Sequence, residues 1–329
     1  MSALPRLGFL GLGWIGQHRL QSLLDERACE AVAIGDPSAE IQARARELAP
    51  DAAIVASLDE LLAHELDGVV IATPSALHAA QALQVLERRL AVFCQKPLAR
   101  TRAETEAIVA AARQADRLLG CDLSYRHTEA MRRVRNAVVE GEIGTVYAAD
   151  LVFHNAYGPN KGWARDPGLA GGGCAIDLGT HLVDLALWVL GFPEVRRVDS
   201  RLYAHGQPLP PGTAACEDYA LLQLDLAGGT TVRLACSWDF SAGRDAVIEA
   251  HFHGSRGSAS MRNRDGSFYD FVAERCHGNQ RVVLAEPPDA WGGRAVVDWA
   301  RRLGAGARYC PAIETLLPVA GVLDAAYAR

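Results

Sequence analysis

Three groups of residues have types and spacings that suit chemistry. In the first, Gly11, Gly13 and Gly16 follow a short apolar run and open a helical pattern, with Trp14 and Ile15 between them. Gly11 permits a tight turn, Gly13 lets a backbone approach a pyrophosphate, and Gly16 lets a helix pack close to a strand. Free N–H groups at the start of that helix then face the phosphates. Asp36 follows Gly16 by 20 residues, the spacing of a carboxylate that holds the ribose hydroxyls of a dinucleotide. The alternative is a turn aspartate before Pro37. As a ribose ligand it would repel a 2′-phosphate, and Pro37 has no N–H to bind one. NAD is therefore favoured over NADP, although Ser38 and Arg44 nearby could partly compensate.

The second group lies in an apolar stretch over 173–190, where Asp177, His181 and Asp184 recur at i, i+4 and i+7. On a regular helix they share a face. Ionisable groups on a largely buried helix are costly unless paired or functional. A histidine with a carboxylate one turn away suits general base catalysis. A hydrogen-bonded core histidine is the other reading. A metal pair at this spacing lacks a third local His or Cys, and no metal is expected. The third group is Gln95-Lys96-Pro97 at the carboxyl end of an apolar strand, where open α/β sheets bind ligands. Lys96 there can support a substrate oxygen or stand as a surface lysine. The Gly-, Pro- and aromatic-rich stretch 154–172 adds His154, Asn155, Tyr157, Lys161, Trp163 and Arg165. As a cluster they are candidates for hydroxyl contacts, although each alone reads as structural or exposed.

The elements that must position these groups change character along the chain. Over 1–122, short apolar strands alternate with helical patterns, which predicts a doubly wound parallel sheet of Rossmann type. Over 123–329 the alternation stops. Helices are expected at 131–139 and 173–190, strand-like runs at 146–153, 195–203, 219–226, 230–240, 246–253 and 258–262, and helices at 295–303 and 312–327. Short turns between the strands predict a large open, mostly antiparallel sheet.

Composition narrows the function classes. Half of the residues are hydrophobic, and the net charge of -6 argues against nucleic-acid and acidic-membrane partners. The eight cysteines are scattered without a CxxC pair, as in a reducing cytoplasm. No apolar run reaches the length of a membrane span.

Together the segments GFLGLGWIGQH (8–18), IATPSALHAAQAL (71–83), CQKPLA (94–99), SYRH (124–127) and GGGCAIDLGTHLVDLALWVLG (171–191) resemble the Gfo/Idh/MocA family of oxidoreductases. The resemblance covers nearly the whole chain. It implies catalytic roles for Lys96, Asp177 and His181, and a cis Lys96–Pro97 peptide. It places Thr73, Pro74, His78 and Arg126 near the cofactor or the domain junction; Gln95 and Lys96 join the cofactor candidates, and Arg126, Asp177 and His181 the substrate candidates. Gln95 stands where family members usually carry Glu, and Ser75 where they usually carry Asn. The implied function is NAD-dependent hydride transfer at a hydroxyl-bearing carbon of a sugar, inositol or polyol. An NAD-dependent glycosidase with transient oxidation and a non-catalytic NAD-binding regulator are the other readings. A homodimer or homotetramer built on the C-terminal sheet is also implied.

Overall fold

The computed structural model describes residues 4–210, 212–213 and 215–327. They form two compact units. The first runs to Asp122 and includes Gly293–Glu314; the second comprises Leu123–Gly292 and the chain from Thr315 onward.

The first unit is a six-stranded parallel sheet in the order β3-β2-β1-β4-β5-β6. Its elements are β1 (Arg6–Leu10), α1 (Trp14–Asp25), β2 (Glu30–Gly35), α2 (Ala39–Leu48), β3 (Ala53–Val55), α3 (Leu58–Leu61), β4 (Gly68–Ile71), α4 (Ser75–Glu87), β5 (Ala91–Cys94), α5 (Arg102–Ala115) and β6 (Leu119–Cys121). β4 and β5 are buried at every residue, as a continuous apolar run requires between two helical layers. Side chains start three of the helices: Ser38, Ser57 and Thr101 accept from the amides of Ile41, Glu60 and Glu104.

The segment Gly293–Glu314 departs from the expected 123–329 domain. Its helix buries Ala295, Val296, Val297, Trp299 and Ala300 in the first core, with Trp299 5.6 Å from Phe93 between ring centroids. An amphipathic pattern declares a buried face without declaring its partner.

The second unit comprises α6 (Glu129–Val139), β7 (Val146–Asn155), α7 (Pro167–Ala170), α8 (Thr180–Val189), β8 (Val195–Ala204), β9 (Gln207–Pro208), β10 (Tyr219–Leu226), β11 (Thr231–Ser237), β12 (Ala246–Gly254), β13 (Gly257–Asn263), β14 (Phe271–His277), β15 (Gln280–Ala285) and α10 (Leu316–Ala326), while α9 (Arg294–Gly304) is the helix that joins the first unit. Nine strands follow the order β15-β14-β13-β12-β7-β11-β10-β8-β9. β7 and β11 run parallel, and the other pairs run antiparallel. Alternate residues of β10 (Ala220, Leu222, Leu224, Leu226) share one core with α6, α8 and α10.

Three expectations need correction. β14 and β15 lie beyond the last expected strand. The run expected to reach 240 ends at Ser237. The stretch expected as one regular helix over 173–190 opens with a π-helical turn, Ala175–Gly179, before α8. Among the described residues no helix is long and apolar enough to cross a membrane.

Candidate active site

At the end of β1 the chain turns at Gly11, whose φ of +83° would strain any side chain. A Cβ at Gly16 would stand 2.1 Å from the Gly11 carbonyl oxygen, so both positions demand glycine. α1 begins after Gly13 with no side-chain cap, and its first amides remain for an anion. Trp14 is exposed and Ile15 half-buried beside them. Asp36, at the end of β2, accepts from Leu12 N (2.7 Å) and Ser38 N (2.9 Å). These bonds aim its carboxylate over the glycine turn. Arg44, the cation nearest in sequence, is bonded to Glu40 at 2.7 Å. This cradle fits a dinucleotide: space and amides for the pyrophosphate, a carboxylate for the ribose.

Beyond β4, the Thr73 hydroxyl donates to Gln81 Oε1 at 2.6 Å, and Pro74 and Ser75 start α4. His78 is buried between the carbonyls of Thr73 (2.8 Å) and Pro97 (2.9 Å). Burial lowers its pKa while the two carbonyls pull the other way. His78 therefore ties the Thr73 turn to the Lys96–Pro97 turn. The Lys96–Pro97 peptide is cis, and Lys96 is half-buried.

In the second unit, Asp177 sits in the π turn and His181 in the first turn of α8. Trp238 Nε1 donates to Asp177 Oδ2 at 3.1 Å. The His181 ring meets the edge of Tyr125 at 4.8 Å between centroids. Burial, with the Asp177 charge adding to it, pushes the Tyr125 hydroxyl pKa up. Asp184 goes elsewhere: Arg126 donates to it through Nε (2.7 Å) and Nη2. Burial raises the Asp184 pKa and Arg126 opposes it. Arg126, expected among the substrate contacts, thus has its guanidinium engaged by Asp184 and lies over Phe192 at 5.3 Å.

The π turn is held from outside its own sequence. The fully buried Glu217 accepts from Gly173 N (3.0 Å) and Ala175 N (2.8 Å) through its carboxylate, and from Cys174 N (2.9 Å) through its carbonyl. The Tyr327 hydroxyl donates to Glu217 at 2.7 Å and accepts from Gly173 N and Ile176 N, each at 3.2 Å. Four consecutive amides at a helix start are thereby satisfied. A Cβ at Gly173 would stand 2.0 Å from the Glu217 carbonyl oxygen, which accounts for glycine at that position.

The 154–172 stretch is partly drawn in. His154 is buried, with Nδ1 2.7 Å from Ser237 Oγ, and stacks on Phe240 at 4.5 Å; burial lowers its pKa. Arg165 donates to Asp239 at 2.8 Å and lies over Trp238 at 5.6 Å. Gly158 N also donates to Asp239, so the loop is clasped beside the partner of Asp177. Asn155 Oδ1 is buried without a partner among the described residues. Lys161 lies over Trp163, and Tyr157 is exposed beside Phe268. An open concavity of about 630 Å³ is lined by Tyr203, Asp218, Tyr219, Trp238, Asp239 and Phe240, among others. Trp238, Tyr125, Glu217 and Tyr327 carry no sequence signal for these contacts, because each partner is distant in the chain. Among the described residues, no group of three His, Cys, Asp or Glu could hold a metal.

Residues 6–123 match a family model described as an oxidoreductase family with an NAD-binding Rossmann fold. Residues 131–260 match the GFO/IDH/MocA C-terminal domain. D-glucoside 3-dehydrogenase of Escherichia coli is 28% identical over 61% of this chain and 60% of its own length. D-apiose dehydrogenase of Paraburkholderia graminis is 27% identical over 88% of this chain and 74% of its own. The solved structure of levoglucosan dehydrogenase with NADH and levoglucosan has a TM-score of 0.82 at 21% identity, covering 98% of this chain and 97% of that one. That likeness is one of fold.

Proposed function

The chain belongs to the Gfo/Idh/MocA family of oxidoreductases, and on that premise we propose that it transfers a hydride between NAD and a hydroxyl-bearing carbon of a sugar, inositol or related polyol. The observation that carries this reading is the cradle of Gly11, Gly16 and the uncapped start of α1 beneath the Asp36 carboxylate. Gly11, Gly13, Trp14, Ile15, Gly16, Asp36, Thr73 and Pro74 hold the cofactor. When bound, NAD supplies the nicotinamide carbon that exchanges the hydride.

His181 takes the hydroxyl proton, and Asp177, oriented by Trp238, holds His181 in its working state. Lys96 stabilises the oxygen as negative charge develops on it. His154, Asn155, Lys161 and Arg165 provide substrate hydroxyl contacts. The unit up to Asp122 serves the dinucleotide, and the second serves substrate and assembly. The eight free thiols suit a cytoplasmic protein.

A screen of NAD and NADP reduction over inositols, aldoses, sugar acids, amino sugars and aryl glycosides tests the reading. Net NADH is expected from at least one, with kcat/KM favouring NAD. A preference of about tenfold for NADP, about 1.4 kcal/mol, would remove Asp36 as a ribose ligand.

A further inference from the structure

Gln95 stands where the family resemblance expects glutamate, and its surroundings supply a physical reason. Its backbone N–H donates to Ile71 O at 2.9 Å, and its side-chain amide donates to Asp122 Oδ2. Asp122 follows β6, is 1% exposed, and donates its own N–H to Cys94 O at 2.9 Å. The same Oδ2 accepts from Arg19 Nε at 2.6 Å, and Arg19 is itself buried. The other oxygen, Oδ1, is buried without a partner among the described residues. One carboxylate, one guanidinium and one neutral amide thus share a site closed to water. His18 Nδ1 lies 3.0 Å from Arg19 Nη1 on the far side of the guanidinium.

A glutamate at position 95 would set a second carboxylate against Asp122 with one arginine for both. Two buried carboxylates at hydrogen-bond distance do not both ionise; they share a proton. Glutamine keeps the length of glutamate and supplies the N–H donor that Asp122 needs. The carboxylate expected beside Lys96 in the chain is carried instead by the residue that Gln95 touches.

We propose that Gln95 and Asp122 are a coupled pair of positioning residues for Lys96, required to carry one carboxylate between them. Their hydrogen bond anchors the residue preceding Lys96 by its side chain as well as its backbone. A misplaced charge there, or a second carboxylate that must either bind a proton or part from Asp122, shifts the lysine and the field it works in. The inference rests on the reading of Lys96 as the residue that stabilises the alkoxide.

Three proteins test it: the wild type, Gln95→Glu, and Gln95→Glu combined with Asp122→Asn. The single variant should lose about tenfold or more in kcat while KM for NAD stays within about threefold, within the range of coupling between contacting side chains. The double variant restores one carboxylate and one amide, and its kcat should return to within about threefold of wild type. A single variant with wild-type kcat overturns the proposal, as does a folded double variant no better than the single. If the single variant does not fold, the double should fold and turn over; a folded, inactive double overturns the proposal. A wild type that reduces no NAD refutes the dehydrogenase reading instead. The pairing is then decided by thermal midpoints, lowered in the single variant and restored in the double, with equal midpoints against it.

Discussion

His181 lies against the edge of Tyr125, and one turn earlier Asp177 accepts a hydrogen bond from Trp238. In the proposed reaction His181 would meet its substrate with one face walled by that aromatic ring and with Asp177 already oriented by Trp238. His181→Ala and Lys96→Ala should each lower turnover by about 10² or more, the scale of a lost acid–base or charge-stabilising group. NAD affinity, read by tryptophan quenching, should change little. A His181→Ala enzyme within about threefold of wild type would send the search for the base elsewhere. Asp36, Lys96, Asp177 and His181 are legible as candidates because each sits at a meaningful offset: after a glycine turn, at a strand end, or one helical turn apart. Their partners are not legible. Trp238 reads as an ordinary strand residue and Glu217 lies outside the expected strands, and only the folded chain brings them to the π turn. Arg126 reads as a ligand-facing cation until Asp184, itself grouped with Asp177 by spacing, proves to be its partner.

At the level of elements, the helix that carries His181 depends on a cap supplied by two remote residues, Glu217 just before β10 and Tyr327 just after α10. Tyr327→Phe removes the donor to Glu217 and the acceptor for the amides of Gly173 and Ile176. Gly173 N keeps Glu217, and taking this acceptor from the Ile176 amide costs about 1–3 kcal/mol. A shift of that size lowers Tm by about 2–4 °C per kcal/mol in a unit of the size of the second one. The expected result is a lower Tm and a fall in kcat, since Asp177 lies in the turn the cap holds. An unchanged Tm would show that the cap is dispensable. Periodicity reveals the apolar stretch over 173–190 because its core face is long and continuous. It does not reveal the π turn, where the period changes for five residues only. β14 and β15 escape for another reason. β15 lies at the sheet edge with exposed Val282 and Val283, and β14 carries the charges of Glu274 and Arg275, so neither shows a clean alternation.

For the whole molecule, the apolar face of the nine-stranded sheet is covered by α6, α8 and α10, while the opposite face carries Leu221 beside ion pairs such as Arg233–Asp150. Two such faces can stack under two-fold symmetry, sheet on sheet. Light scattering at micromolar concentration should give about two or four times 35.3 kDa, the mass of one chain. A mass of one chain would leave that face to water. Hydride transfer from a carbinol carbon has a direct isotopic readout. A sugar or polyol that reduces NAD should be prepared with deuterium on the carbon bearing the reacting hydroxyl, and the NADH formed weighed by mass spectrometry. One deuterium per NADH is the expected result; NADH without deuterium, or no net NADH from any polyol, would rule out direct hydride transfer from that carbon.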